Sequence, residues 1–196
     1  MRKVILGMNI TLDGFISGPN GELDWVTMDE EIDNSLLPDL LGRVDTALTG
    51  RVLYQGFANY WPSAESKNAS LSKGEIDFAH WINNAPKIVF SKTLEKVEWK
   101  NSTLVKENIE QEIAKLRQQP GKDLVLFGGV NIAQTFVSLD LIDEYRLLVS
   151  PVVLGNGKPL FKDIKNMLNL KLLKSKTFKS GAVGLHYQPE RRKNSQ

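Results

Sequence analysis

The order of its short apolar runs constrains the fold of this 196-residue chain more than any other sequence feature. In the first two thirds, β-rich apolar runs such as residues 3–10 alternate with segments whose apolar residues recur at helical spacing. The last third contains candidate strands only, at residues 143–153, 168–178 and 182–188. Alternation predicts a largely parallel sheet covered by helices on both faces, and the consecutive strands predict an antiparallel end. The pattern therefore indicates an α/β protein.

The boundaries of the remaining elements follow from local signals. A helix is expected over 29–41, where Pro38 lies inside the apolar stripe and should kink or restart it. Ser72 is a candidate N-cap for another helix at 72–83. No repeat or long linker interrupts the pattern, so we expect one domain over residues 1–190 and a polar tail at 191–196. The other expected elements are a loop at 14–22, strands at 46–49, 87–90 and 124–127, and helices at 52–58, 107–119 and 130–139.

Composition excludes several classes of function. The 25 basic residues nearly balance the 23 acidic residues, whereas a nucleic-acid-binding domain usually carries a clear basic excess. The absence of cysteine excludes disulfides, zinc–thiolate sites and cysteine nucleophiles, and two separated histidines do not suggest a metal site. The start of the chain has too short an apolar run for a signal peptide or a membrane span. We therefore expect a cytoplasmic protein without nucleic-acid, membrane or metal partners.

The strongest functional motif is a strand at 124–127 that runs into Gly128-Gly129 and then directly into a helix. Glycines at such a turn let the backbone approach a phosphate, and the helix N-terminus offers free N–H groups and a partial positive charge. A tight turn that only needs positive φ would leave the same pattern, so both interpretations stay open.

Two further motifs also follow predicted strands. Arg51 follows Gly50 at a helix start, where a cation is unfavourable unless an anion lies beside it. An ion pair with a carboxylate would explain Arg51 equally well. Residues 91–93 (Ser-Lys-Thr) are suited to a 2′-phosphate, which would favour NADPH over NADH, or to a plain polar turn. Because ligands of open α/β sheets bind outside the carboxyl ends of parallel strands, the three motifs together favour a dinucleotide site.

The same motifs carry a resemblance to a known family. It rests on residues 12–16 (LDGFI), 21–25 (GELDW), 49–51 (TGR), 89–91 (VFS), 127–129 (FGG), 142–145 (IDEY) and 150–157 (SPVVLGNG). In this order and spacing they resemble the dihydrofolate-reductase superfamily, most closely the reductase domain of the bifunctional riboflavin-biosynthesis deaminase/reductase and its stand-alone relatives. The resemblance implies a three-layer α/β/α fold with an eight-stranded, mostly parallel sheet, NADPH as hydride donor, and a homodimer.

The resemblance also implies roles for individual residues. Asn9 and Trp25 would lie near the substrate. The cofactor would be bound by Ile16 and Ser17 at the nicotinamide, Gly50 and Arg51 at the phosphates, Ser91 on the adenosine side, and Gly128, Gly129, Asn131 and Ile132 at the pyrophosphate.

Reduction of a C=N or C=O bond also needs a proton donor. Asp29 and Asp33 lie four residues apart on the face of the first helix that carries its leucines, which makes them candidates for the catalytic acid. A helix-capping role for Asp29 and a solvated position for Asp33 are equally compatible with the sequence.

Together these features predict an NADPH-dependent reductase of a small heterocycle, by resemblance a 5-amino-6-(5-phosphoribosylamino)uracil reductase. The alternatives are a dihydrofolate- or pterin-type reductase and a dinucleotide-binding module without turnover.

Overall fold

The computed structural model describes residues 1–27, 30–67, 71–164 and 166–190 and contains ten strands and six α-helices within them. The strands are β1 (Val4–Thr11), β2 (Phe15–Ser17), β3 (Val44–Gly50), β4 (Lys87–Phe90), β5 (Ser102–Val105), β6 (Asp123–Leu126), β7 (Glu144–Ser150), β8 (Lys158–Pro159), β9 (Leu170–Thr177) and β10 (Val183–Pro189). The helices are α1 (Glu30–Arg43), α2 (Arg51–Tyr60), α3 (Ala64–Lys67), α4 (Lys73–Asn84), α5 (Ile109–Gln118) and α6 (Val130–Ser138).

Eight of the strands form one sheet in the order β5-β4-β3-β6-β1-β7-β10-β9. The neighbouring pairs from β5 to β7 are parallel, and β10 is antiparallel to both β7 and β9. The predicted mostly parallel sheet with antiparallel C-terminal strands is therefore confirmed. β2 and β8 pair separately in a small antiparallel ribbon.

Helices cover both faces of the sheet because its central strands are apolar on both sides. On one face, α5 and α6 pack into the largest core cluster, to which Ile113 and Phe136 contribute. On the other face, α1 and α4 pack over Ile5, Ala47 and Val125. The two packed faces account for the three layers. No helix in the described ranges is long and apolar enough to cross a bilayer.

Three features differ from the sequence expectation. The helix α1 continues through Pro38 to Arg43 without a restart, because leucines on both sides of the proline pack against the core. Leu40 is buried, and Leu36, Leu37 and Leu41 are partly buried. The short strands β2, β5 and β8 were not predicted, since two to four residues carry too little periodicity to be recognised. β7 ends at Ser150, before a proline that cannot donate a ladder hydrogen bond. The expected polar tail at 191–196 lies outside the described residues.

A buried ionic network joins α1 to the amino ends of the strands. Glu144 is 2% exposed and accepts hydrogen bonds from Lys3 (2.8 Å) and Arg43 (3.0 and 3.1 Å). Nε2 of His186 lies 2.8 Å from Oε2 of the same carboxylate. Burial alone would raise the pKa of Glu144, but the hydrogen bonds from Arg43, Lys3 and His186 outweigh it and lower the pKa to about 2. The carboxylate is therefore ionised whenever the protein is folded at neutral pH.

Replacement of Glu144 should destabilise the protein in a pH-dependent manner. The folded-state pKa lies below the ordinary value of 4.5, so the stabilisation is complete above that value and is lost as pH falls towards 2. Urea unfolding at pH 7 should show Glu144→Gln to be less stable by on the order of 2 kcal/mol, and the difference should shrink at pH 3. Glu98→Gln, which removes an exposed pair with Lys96, is the matched control and should leave unfolding unchanged. A loss of unfolding free energy of the same size at both pH values would contradict the lowered pKa of Glu144.

Candidate functional site

The two glycine-bearing junctions meet at the carboxyl ends of adjacent strands. β3 and β6 are parallel neighbours with Leu48 opposite Leu126, so the turns that follow them emerge side by side. A Cβ placed on Gly129 would lie 3.8 Å from both the Cα and the N of Gly50. The structure thus brings Gly50 and Gly129 together, as the sequence predicted.

Glycine is required at the second junction by backbone conformation and by space. Gly128 and Gly129 have φ values of +107° and +93°, which side chains rarely tolerate. A Cβ on Gly128 would also lie 2.6 Å from Cε of Met8 on the central strand β1. The tight-turn interpretation and the phosphate interpretation of Gly128-Gly129 are therefore compatible, since the turn that needs positive φ buries Gly128 but leaves Gly129 partly exposed.

Both junctions open into helices whose first turns lack side-chain caps. Gly50 and Gly129 are the N-cap residues of α2 and α6, and neither helix has an acidic residue in its first turn. The free N–H groups and the helix dipoles therefore leave a positive potential between the two helix starts. Arg51 adds a full charge here, and it forms no ion pair with any residue in the described part of the chain. The carboxylate pairing considered for Arg51 is thus not found among the described residues.

A cavity of about 1770 Å³ lies along this edge of the sheet and under α1. It is lined by most of the residues predicted to form the site, namely Asn9, Ile16, Ser17, Asp33, Gly50, Arg51, Ser91, Gly129, Asn131 and Ile132. Residues that are far apart in sequence are therefore brought to one continuous surface.

Two of the predicted residues that the structure describes, Trp25 and Gly128, do not line the cavity. Trp25 is 9% exposed, and its indole N–H donates to the carbonyl of Glu22, so this side chain anchors its own loop. The walls near it are formed instead by Leu23 and Val26. Gly128 lies behind the wall against Met8, and Asp29 lies outside the described residues. The structure therefore does not bring Trp25 to the position expected for a substrate contact.

Ser91 directly follows β4 and lies in a turn that lines the cavity. Its hydroxyl accepts hydrogen bonds from the N–H groups of Thr93 (3.2 Å) and Leu94 (3.0 Å), which is the polar-turn arrangement considered for this segment. The same turn places Lys92 and Thr93 on the cavity wall. A cation and two hydroxyls are thus available on the side of the cavity formed by β4.

The loop that carries Ile16 and Ser17 is clamped by a carboxylate that sequence analysis did not identify. Asp13 accepts hydrogen bonds from the Thr11 hydroxyl and from the N–H groups of Leu154 and Gly155. These hydrogen bonds, above all that from Thr11, lower the pKa of Asp13. Together with the pairing of β2 and β8, this clamp holds the loop in the position where Ile16 and Ser17 line the cavity. The signal in the sequence is an Asp-Gly pair directly after a buried strand.

Asn9 is an exposed polar side chain in the middle of the central strand β1, next to Leu148 on β7. Its amide has no hydrogen-bond partner among the described residues, although its neighbours Ile10 and Thr11 are buried. An amide offers one acceptor and two donors. At this position they face the cavity and are available to a ligand.

Asp33 lies where α1 packs against the start of α4. The Ser72 hydroxyl donates to Oδ2 of Asp33 over 3.4 Å, and a Cβ on Gly74 would lie 2.8 Å from Cβ of Asp33. Ser72 also caps α4 in a capping box with Glu75, so the predicted N-cap is confirmed. The carboxylate of Asp33 therefore reaches the cavity wall while held by a helix N-terminus, and its role as acid stays a prediction.

The family model described as "RibD C-terminal domain" matches residues 2–183. An uncharacterized protein of Bacillus subtilis (strain 168), YyaP, is 40% identical over 186 residues, which cover 95% of this chain and 94% of YyaP.

Solved structures share the fold. A candidate riboflavin biosynthesis protein from Shewanella sp. PV-4 superposes with a TM-score of 0.73 at 27% identity, covering 97% of this chain and all of the other. The second structure is a diaminohydroxyphosphoribosylaminopyrimidine deaminase/5-amino-6-(5-phosphoribosylamino)uracil reductase from Thermotoga maritima. It superposes with a TM-score of 0.66 at 18% identity, covering 96% of this chain and 56% of the other. Dihydrofolate reductase from Enterococcus faecalis complexed with NADP(H) superposes with a TM-score of 0.59 at 13% identity, covering 96% of this chain and 97% of the other. The predicted dihydrofolate-reductase-like fold is confirmed.

Substitution at the second junction tests the local geometry. Gly128→Ala should lower the free energy of unfolding by about 1–2 kcal/mol, because alanine is strained at this φ and collides with Met8. Gly42→Ala is the matched control, since a Cβ there meets nothing within 4 Å and its backbone is helical. Chemical denaturation of both variants measures the difference. Equal stability of the two variants would show that the turn does not need glycine.

Proposed function

Because this chain belongs to the RibD C-terminal domain family, we propose that it is an NADPH-dependent reductase that transfers a hydride to a small heterocycle. The observation that carries the proposal is the contact between the junctions at Gly50 and Gly129 on the wall of one large cavity. Two helix starts without side-chain caps, and an arginine that has no ion pair with any described residue, would make a site there for the phosphates of a dinucleotide.

The residues present fit such a cofactor. Arg51 would bind a phosphate through its guanidinium, and the N–H groups of residues 129–132 would bind the pyrophosphate. A side chain on Gly50 would come within 3.1 Å of Ile132 and fill the space between the two helix starts. On the other side, Lys92 and the hydroxyls of Ser91 and Thr93 would select the 2′-phosphate of NADPH. Bound there, NADPH would supply the hydride from its nicotinamide ring.

The loop with Ile16 and Ser17 would border the nicotinamide. Ile16 is 6% exposed and belongs to the main core cluster, so its position is fixed by packing. The clamp of Asp13 on Leu154 and Gly155 holds the same loop from the outside. A fixed apolar wall at this point orients the ring and excludes water from the site of transfer.

Asn9 would orient the substrate. A side-chain amide can donate to a ring carbonyl and accept from an adjacent ring N–H, which matches the lactam edge of a uracil or pterin. The reductase named in the Thermotoga maritima protein acts on an aminouracil, and we propose a ring of that type here. The predicted homodimer and cytoplasmic location are part of the same proposal.

Asp33 would deliver the proton that balances the hydride. Its carboxylate lines the cavity on α1, the helix that covers Asn9 and its strand. Asp29, one turn earlier in sequence, is the other candidate for this role. The side chain of either residue would act as a general acid or would orient the water that does.

Arg51→Ala tests the proposed phosphate contact. Loss of a charge-assisted hydrogen bond should weaken NADPH binding at least about tenfold. Nicotinamide fluorescence during titration with NADPH and with NADH measures this, and the unmodified protein should prefer NADPH. Lys171→Ala on β9, which lies outside the cavity wall, is the control and should leave binding unchanged. Unchanged NADPH affinity in Arg51→Ala would contradict the phosphate contact proposed for Arg51. If the unmodified protein bound neither nucleotide, the proposed reductase function would be wrong.

Asp33→Asn tests the proton donor. In an assay of NADPH oxidation with a panel of pyrimidines, pteridines and flavins, this variant should lower kcat at least about tenfold and keep its affinity for NADPH. Asp77→Asn on α4 removes only an exposed pair with Lys73 and serves as the control. Full turnover by Asp33→Asn would assign the proton to Asp29 or to water. Tight NADPH binding without oxidation on any compound would favour a binding module.

A further inference from the structure

The β2–β8 ribbon is separate from the eight-stranded sheet and carries the residues proposed to border the nicotinamide. In this two-stranded pair, Ser17 lies opposite Lys158 and Phe15 lies opposite Pro159. A pair of such short strands is not stable by itself, so its position depends on contacts with the rest of the protein. These contacts therefore decide where Ile16 and Ser17 are held.

One of these contacts comes from α6, the helix proposed to bind the pyrophosphate. The side-chain amide of Gln134 donates to the carbonyl of Pro159, with Nε2 and O 2.7 Å apart. Gln134 is half-buried and does not line the cavity, so its side chain is not placed to touch a ligand there. The other hydrogen bonds of the described ribbon residues are made within the ribbon or to segments next to it in sequence, for example from the Leu160 N–H to the carbonyl of Gly14. Gln134 thus ties the ribbon to a different part of the fold.

The carbonyl that accepts this hydrogen bond is coupled closely to β2. Leu160, the residue after Pro159, is fully buried and packs in the same core cluster as Ile16. On the other side, a Cβ on Gly157 would lie 2.5 Å from the carbonyl oxygen of Ser17, so the two strands approach too closely for a side chain there. A displacement of Pro159 would therefore move Ile16 and Ser17 with it.

The other end of this link is the helix start that faces the proposed phosphates. Gln134 lies in the second turn of α6, whose N-cap is Gly129. The Ala133 N–H donates to the carbonyl of Gly129 at 3.0 Å, so the first two turns form one hydrogen-bonded unit. A ligand held by the free N–H groups of residues 129–132 would therefore act on the same turns that hold the ribbon.

We propose that Gln134 is a positioning residue, which transmits occupancy of the phosphate end of the cofactor site to the ribbon at its nicotinamide end. A bound pyrophosphate would immobilise the start of α6, and the amide of Gln134 would then restrict the carbonyl of Pro159 and the strand paired with it. The inference rests on the proposed function, because that function places the two ends of the cofactor. It gives a role to a half-buried polar side chain that does not line the cavity.

A ligand without the nicotinamide tests this transmission. 2′-Phospho-ADP-ribose keeps the pyrophosphate and the 2′-phosphate of NADPH but has no nicotinamide ring to contact the ribbon. In amide hydrogen–deuterium exchange, saturation with this ligand should protect residues 14–17 and 157–160 of the unmodified protein. Gln134→Met keeps the length of the side chain but removes the donor, so the ribbon should lose this protection while residues 129–132 keep theirs. Equal protection of the ribbon in both proteins, or no protection of it in the unmodified protein, would overturn the proposal.

Affinities for the two ligands separate positioning from a general loss of structure. Gln134→Met should weaken NADPH binding about threefold to tenfold and should not weaken binding of 2′-phospho-ADP-ribose, because only NADPH has a ring that uses the positioned ribbon. Ser138→Ala is the matched control on the same helix, since its exposed hydroxyl donates to the carbonyl of Thr135, and it should change neither affinity. An equal loss of affinity for both ligands, or an unchanged affinity for NADPH, would overturn the proposal.

The same measurements distinguish failure of this inference from failure of the proposed function. If the unmodified protein bound neither NADPH nor 2′-phospho-ADP-ribose, the proposed function would be wrong and this inference with it. If it bound both, and Gln134→Met behaved like the unmodified protein, only this inference would be wrong. Gln134→Ala removes the same donor and is the second variant if Gln134→Met folds poorly, and the ribbon of the unmodified protein must still respond to 2′-phospho-ADP-ribose.

Discussion

The parallel pairing of β3 with β6 is the constraint on which the rest of the site depends. It brings the starts of α2 and α6 to one edge of the sheet, so that two helix dipoles point at the same space. Positive φ at Gly128 and Gly129 then allows the second turn to approach Gly50 without a side chain between them. An anion-binding surface follows from strand order and from glycine positions that an ordinary residue could not occupy.

The position of α1 determines the other wall of the cavity. Gly7 on β1 has no side chain, and a Cβ there would lie 3.2 Å from Leu40, so the helix can pack closely on the central strand. The buried Glu144 fixes the C-terminal end of α1 through Arg43. Near its N-terminal end, Asp33 packs against α4. Held at both ends, α1 leaves an opening above Asn9.

Most of the fold and the cofactor half of the site could be predicted from the sequence, because strongly apolar strands and glycine junctions leave local signals. Gly50 and Gly129 were found this way, and their contact followed from the rule for parallel strands. Trp25 anchors its own loop and does not line the cavity. The sequence could not show this, since an aromatic residue in a loop looks the same whether it contacts a ligand or anchors the loop. The clamp by Asp13 and the β2–β8 ribbon depend on contacts between distant segments, which no local pattern records.

Amide hydrogen–deuterium exchange with and without NADPH tests the central claim most directly, because it reports on each junction separately and needs no substrate. The account predicts that peptides covering residues 50–53 and 128–132 become protected together at the same NADPH concentration. The distant turn at residues 119–122, at the amino ends of the strands, should exchange equally with and without the nucleotide. Protection of one junction without the other, or of neither, would contradict the claim that the two form a single dinucleotide site.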